Sequence, residues 1–199
     1  MPEPPSTSAF AAAGPALGYL AQVDYALLAA LERMDDEDDF AVSIETLDDI
    51  VFHDVETDDA TEKSQSKHTI STTRSLSDAS TDLWKTLVNW IAEPGDPRTR
   101  LILLAVASAG PVAQLLRVGT ERDVDKAHDQ LERIARTSQS AANANYYAAF
   151  LGLTAEERRV LLARVEIIDG VLPANEVQPQ LQRGASIPDA RWPDCGPRP

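Results

Sequence analysis

The 199-residue chain has one cysteine, Cys195, close to its carboxyl end. A lone thiol forms no internal disulfide and builds no thiolate metal cluster, so burial and hydrogen bonding must hold the fold. Cys195 itself is expected to be inert. Long apolar runs are also missing: nothing reaches the ~18–20 residues of a membrane-spanning helix. The opening segment, MPEPPSTSAFAAAGPALG, has no basic stretch ahead of its apolar residues, unlike a secretory signal. Together these absences point to a cytoplasmic protein with no membrane partner. A basic excess is lacking as well. The formal net charge is −14, whereas a free-standing nucleic-acid binder is normally positive.

The charge is unevenly placed. Thirteen of the 32 acidic residues lie between Met34 and Glu62, a stretch without Lys or Arg. Elsewhere acids and bases nearly balance, so the net charge reports mainly on this block. Its densest part, Asp35 to Asp39, reads as a solvated loop.

Periodicity predicts a helix from Ala16 to about Met34, with Leu17, Leu20, Ala21, Asp24, Leu28 and Leu31 on one face. Asp24 interrupts that stripe, either partnered in the core or facing a site. The acids after Met34 oppose the helix dipole and end the element. Three strands follow: FAVSIE, DDIVFHDV and EKSQSKHTI, the last two joined by the turn residues of ETDDATE. Ser77 and Asp78 are candidate N-caps of a second helix that closes at Pro94-Gly95 and carries Leu83, Leu87 and Trp90 or Ile91 inward. Trp84 and Trp90 read as core. The apolar run in RTRLILLAVASAG suits a buried parallel strand reached by a right-handed crossover. Beyond it the pattern is helical: TERDVDKAHDQLERIART is amphipathic, and LTAEERRVLLARVEIIDG has Thr154 and Glu157 at capping-box spacing with Gly170 as its stop. The reading is therefore α/β: a lead-in over 1–14, an α-β-β-β-α-β core with a mixed sheet over 15–110, a helical extension of the same domain over 111–178, and a disordered tail or linker over 179–199.

Side chains alternate along a strand, so Gln65 and Lys67 share a face. Asp49 begins the neighbouring strand, and an antiparallel hairpin would set it beside that pair. Glu45, ending the first strand, could face the same spot, and Asp48 is a neighbouring candidate. Phosphodiester hydrolysis needs oxygen ligands for Mg²⁺ and benefits from a lysine near the attacked phosphate. Asp49, Gln65 and Lys67 supply those parts. The plainer alternatives are a strand-start turn at Asp48-Asp49 and an edge-guarding lysine at Lys67. His53 and His68 read as surface or core histidines. Lys85 is a candidate phosphate contact.

The pattern Asp49…Gln65-x-Lys67 in this element order resembles the restriction-endonuclease-like PD-(D/E)XK superfamily in its Gln-x-Lys variant. GYLAQVDYALL, IETLDDIVF, SQSKH and LSDASTDLWKTLVNW, in that order, are similar to the double-stranded DNA endonuclease domain of CD-NTase-associated antiphage effectors. The likeness runs from about Gly14 to Leu181. It implies a Mg²⁺-dependent endonuclease cleaving duplex DNA in antiphage defence. Asp49 would be the metal-binding carboxylate, Gln65 would stand where most of the superfamily has Glu, the Ser66 backbone carbonyl would be a further ligand, and Lys67 would be the catalytic lysine. Gln22, on the first helix, would face the site. The resemblance also implies an oligomeric active form and a cyclic-oligonucleotide sensor domain or protein outside this chain. The rival expectation is a non-catalytic, nuclease-like module that recruits a partner through its acidic surface.

Overall fold

A computed structural model describes residues 13–34, 39–44, 49–67, 76–171, 176, 177 and 179, with the backbone alone at 13–18, 21, 32, 49 and 67. Glu45, Asp48, His68, the acidic residues 35–38, the lead-in to residue 12 and the tail from residue 180 lie outside them. The elements run α1 (Ala13–Arg33), β1 (Phe40–Ile44), β2 (Asp49–Asp54), β3 (Ala60–Lys67), α2 (Thr81–Ala92), β4 (Arg100–Ala105), α3 (Pro111–Gln114), α4 (Val124–Thr137), α5 (Ala144–Gly152), α6 (Ala155–Arg164) and β5 (Val165–Asp169).

The five strands form one mixed sheet in the order β1-β2-β3-β4-β5. β1, β2 and β3 pair antiparallel, whereas β3–β4 and β4–β5 are parallel. Chemistry explains the change of sense. β2 and β3 are joined by a tight turn in which Asp54 Oδ1 accepts from the N–H groups of Glu56 and Thr57, each at 2.9 Å. Parallel pairs need a long crossover: α2 supplies the one between β3 and β4, and α3 to α6 the one between β4 and β5.

Alternation along the strands sorts the core into two layers. Leu101, Leu103, Ala105, Val165 and Ile167 face a large cluster containing Leu83, Trp84, Leu87 and Trp90 of α2, Leu131 of α4, Phe150 of α5 and Leu162 of α6. On the opposite face, Ile50 and Phe52 pack against Tyr25, Ala26, Leu28 and Ala29 of α1. Trp84 anchors the larger layer. It meets Tyr147 and Phe150 edge-on at 4.6 and 5.5 Å, and its indole N–H donates to the Asp78 carbonyl at 2.8 Å. The loops leaving the sheet also pack closely. A side chain on Gly110 would begin 2.9 Å from the Leu76 carbonyl oxygen, which leaves room only for glycine where that loop crosses the approach to α2.

Three expectations are corrected. Residues Val165–Asp169 form an edge strand of the sheet rather than the end of a helix: α6 stops at Arg164, and β5 pairs with β4 from Leu101↔Val165 to Ala105↔Asp169. The segment VEIID is rich in β-branched residues, which suits a strand better than a fourth helical turn. The capping box at Thr154 and Glu157 is present as expected. Second, neither Ser77 nor Asp78 caps α2. Ser80 holds the N-cap position without a side-chain bond, and Asp78 Oδ1 instead accepts from the Val112 N–H at 2.9 Å, fastening the start of α3. Third, α1 buries a different face. Gln22, Tyr25, Ala26, Leu28 and Ala29 point inward, while Leu20 and Leu31 are 57% and 43% exposed. The leucine spacing marked a real stripe, but of its described leucines only Leu28 is buried.

Trp84→Ala should destabilise the protein by about 3–5 kcal/mol, through lost burial, lost ring contacts and an orphaned Asp78 carbonyl. A chemical-denaturation midpoint, with the slope unchanged, would measure it.

Candidate active site

The end of the sheet where β3, β4 and β5 finish gathers the chemistry. Asp49 pairs directly across from Gln65, and Gln65 is in turn level with Leu103 on β4. Lys67 stands two residues further along β3, level with Ala105, which is level with Asp169 on β5. Pleat parity therefore places Asp49, Gln65, Lys67 and Asp169 on the sheet face that carries Leu103 and Ala105. Carboxyl ends of parallel strands are where α/β sheets most often hold ligands.

Gln65 is the informative member. It is 1% exposed, and its side-chain oxygen has no hydrogen-bond partner. A buried polar atom without a partner costs about 1–3 kcal/mol, so such atoms in folded proteins call for an explanation. A neutral amide oxygen opposite an aspartate position is a fitting ligand for a hard, oxygen-seeking cation such as Mg²⁺. With the backbone carbonyl of the adjacent Ser66, the residues present suit that ion. Among the described residues no three His, Cys, Asp or Glu side chains converge on one point.

Asp169 was not singled out by the sequence. Its Oδ2 accepts from the Ala109 N–H at 2.7 Å and from Arg117 Nη2 at 2.5 Å. Burial pushes its carboxyl up, but the Arg117 bond, the Ala109 N–H and the arginine's charge outweigh that and hold it below the usual range. It remains an anion at neutral pH and pins Arg117 beside the strand ends. The signal available was an Asp closing a β-branched run immediately before Gly170, which has φ +68°.

The remaining candidates lie on α1, α2 and β2. Gln22 is buried on α1. Lys85 is exposed on α2. His53 shares a 2.9 Å hydrogen bond with Ser43 on the β1–β2 surface, an ordinary surface role. Asp24 is half-buried on the outward side of α1.

The face opposite the candidate site holds a second feature that sequence reasoning missed. Glu62, 1% exposed, receives ion pairs from Arg33 of α1 and from Arg100 of β4, the latter at 3.3 Å. Arg100 continues to Glu166 of β5 at 2.5 Å, and Ser64 Oγ donates to Glu62 Oε1 at 3.0 Å. The Arg33 guanidinium also lies 3.9 Å from the Phe52 ring centre. α1, β3 and β4 are thus tied together through one carboxylate, and Arg100 carries the link on to β5.

No protein-family model, curated protein or solved structure matches the chain.

Two outcomes follow. Gln65→Met should stabilise the metal-free protein by about 1–3 kcal/mol, because the unsatisfied oxygen is replaced by an apolar group of similar shape; urea unfolding in the presence of chelator measures it. Asp169→Asn should lower stability at neutral pH and flatten the acid side of the stability profile. A depressed carboxyl contributes fully above its unfolded pKa of about 4 and loses that contribution as pH falls through the folded value. Thermal unfolding across pH 2–7 would show it.

Proposed function

We propose that this chain is a metal-dependent endonuclease domain acting on double-stranded DNA, with a restriction-endonuclease-like core and a role in antiphage defence. The observation that carries the reading is the register Asp49↔Gln65, with Lys67 on the same face and the Gln65 side-chain oxygen buried without a partner. The order α1-β1-β2-β3-α2-β4, with antiparallel strands followed by a parallel one, supports it.

In this reading Asp49, Gln65 Oε1 and the Ser66 carbonyl hold Mg²⁺. The ion, when bound, supplies charge neutralisation at the scissile phosphate and a more acidic water. The other work belongs to the protein. Asp49 contributes the negative charge of the ligand set, and Gln65 an oxygen that adds none. That lowers repulsion towards a phosphate in a chain that is already acidic. Lys67 orients the attacking water and stabilises charge on the pentavalent phosphate, a contribution realised in the transition state. Arg117, held by Asp169, and the exposed Lys85 offer positive charge to flanking phosphates. An acidic protein binding a polyanion through few cations should lose affinity steeply with salt. An oligomeric active form and a cyclic-oligonucleotide sensor outside this chain fit that need for added avidity.

The near-complete burial of Gln65 favours a second reading: a nuclease-like module without catalysis, which engages a partner through the acidic surface of residues 34–62. Plasmid cleavage at low salt separates the two. Wild type with Mg²⁺ should nick and linearise plasmid. Lys67→Ala should lose at least a hundredfold of that activity yet keep a Mg²⁺-induced rise in melting temperature, whereas Asp49→Ala should lose both. Equal cleavage by wild type and Lys67→Ala, or none by either, would favour the module.

A further inference from the structure

We propose that Lys63 of β3 binds a phosphate of the DNA backbone one step away from Gln65. The inference rests on the endonuclease reading, and adds to it a positioning residue outside the Asp…Gln-x-Lys pattern.

Pleat parity sorts the charges of β3. Glu62 lies on one face with Ser64, which donates to it. Lys63, Gln65 and Lys67 lie on the other, with Asp49 and Val51 of β2. The five strands hold three Lys or Arg residues: Lys63, Lys67 and Arg100. Arg100 is on the Glu62 face, where Glu62 and Glu166 pair with it. Lys63 has no such acid. In register it stands between Val51 and Leu101, which are 3% and 1% exposed, and it is itself half-buried. Among the described residues none forms an ion pair or a side-chain hydrogen bond with it.

A cation set among apolar neighbours loses hydration that an anion can replace. The next residue on the same face has the complementary need, because Gln65 Oε1 is a buried acceptor without a donor. One kind of ligand answers both: a phosphodiester carrying a divalent cation. Gln65 would take the ion, and Lys63 a neighbouring phosphate. The two residues are about 6.6 Å apart along the strand, at about 3.3 Å per residue. That separation is comparable with one nucleotide step of a backbone laid along β3, and Lys67 lies as far again beyond Gln65. Lysine suits the position, since its flexible stem can follow the apolar row while its compact charge reaches past it. Such a contact places the duplex and reads no base. Its effect therefore belongs in binding and salt dependence rather than in turnover.

Anisotropy of a fluorescent duplex with Mg²⁺, in the Lys67→Ala background so that the DNA stays intact, tests the contact across a salt series. Plasmid cleavage by protein that keeps Lys67 supplies KM and kcat. Lys63→Gln should weaken binding about threefold or more at low salt and lower the log–log salt slope by about one. It should raise KM with kcat unchanged. Lys63→Met, which keeps an apolar stem, should match it, and Lys63→Arg should retain both affinity and slope. Lys126→Gln, the same change of charge on the exposed surface of α4, should alter none of these. If wild type cleaves and both neutral Lys63 variants keep its affinity and slope, the contact is overturned and the endonuclease reading stands. A loss confined to kcat would overturn the positioning role. Wild type that neither binds nor cleaves duplex DNA would overturn the endonuclease reading and the contact with it.

Discussion

β3 is bound on both sides, antiparallel to β2 and parallel to β4, and the two registers meet at Gln65. A slip of one residue in either would turn Gln65 and Lys67 towards α1 and bring Ser64 and Ser66 to the opposite face. Glu62 opposes that slip. In register it receives Arg33 and Arg100; one residue out, its carboxylate would be driven among the leucines of the larger core layer. An unpaired buried charge is among the costliest defects a fold can carry. The ion network on one face of β3 thereby fixes which side chains appear on the other, and the candidate site depends on it although no member of the network belongs to the site.

The two faces of the sheet are covered unequally. Helices α2 to α6 supply a thick layer whose leucines and aromatic rings enclose the parallel strands. α1 supplies most of the cover on the other face, with a small cluster and the Arg33–Glu62 pair holding it down. The stable layer carries the crossovers, and the thin one leaves an apolar stripe exposed. The rigid placement of the strand ends comes from that asymmetry.

Much of this was legible because local chemistry agreed with the fold. Alternation marked β1 to β3, the continuous apolar run marked β4 as a buried parallel strand, and Thr154 with Glu157 marked the start of α6. β5 was obscured because VEIID directly follows a well-capped helix with no Gly or Pro between the two. The leucines of α1 misled for a different reason: periodicity reports that a stripe exists and not which side meets the core. Burying Arg33 against the sheet takes tertiary partners, Phe52 and Glu62, that the local sequence does not announce. The register that sets Asp49 across from Gln65, with Lys67 two residues further along β3, was readable from the strand pattern. Asp169 and Arg117 were not, since their meeting depends on β5 returning to the same sheet end.

The central claim is that Gln65 turns a buried, unpartnered oxygen towards a bound cation at the end of the sheet. Crystals soaked in Mn²⁺, a Mg²⁺ surrogate with a strong anomalous signal, test it most directly. The account predicts one anomalous peak at oxygen-ligand distance, about 2.1 Å for an ion of this type, from both Gln65 Oε1 and the Asp49 carboxylate. Density for a buried water bonded to Gln65 Oε1, with Mn²⁺ absent from that end of the sheet, would contradict it.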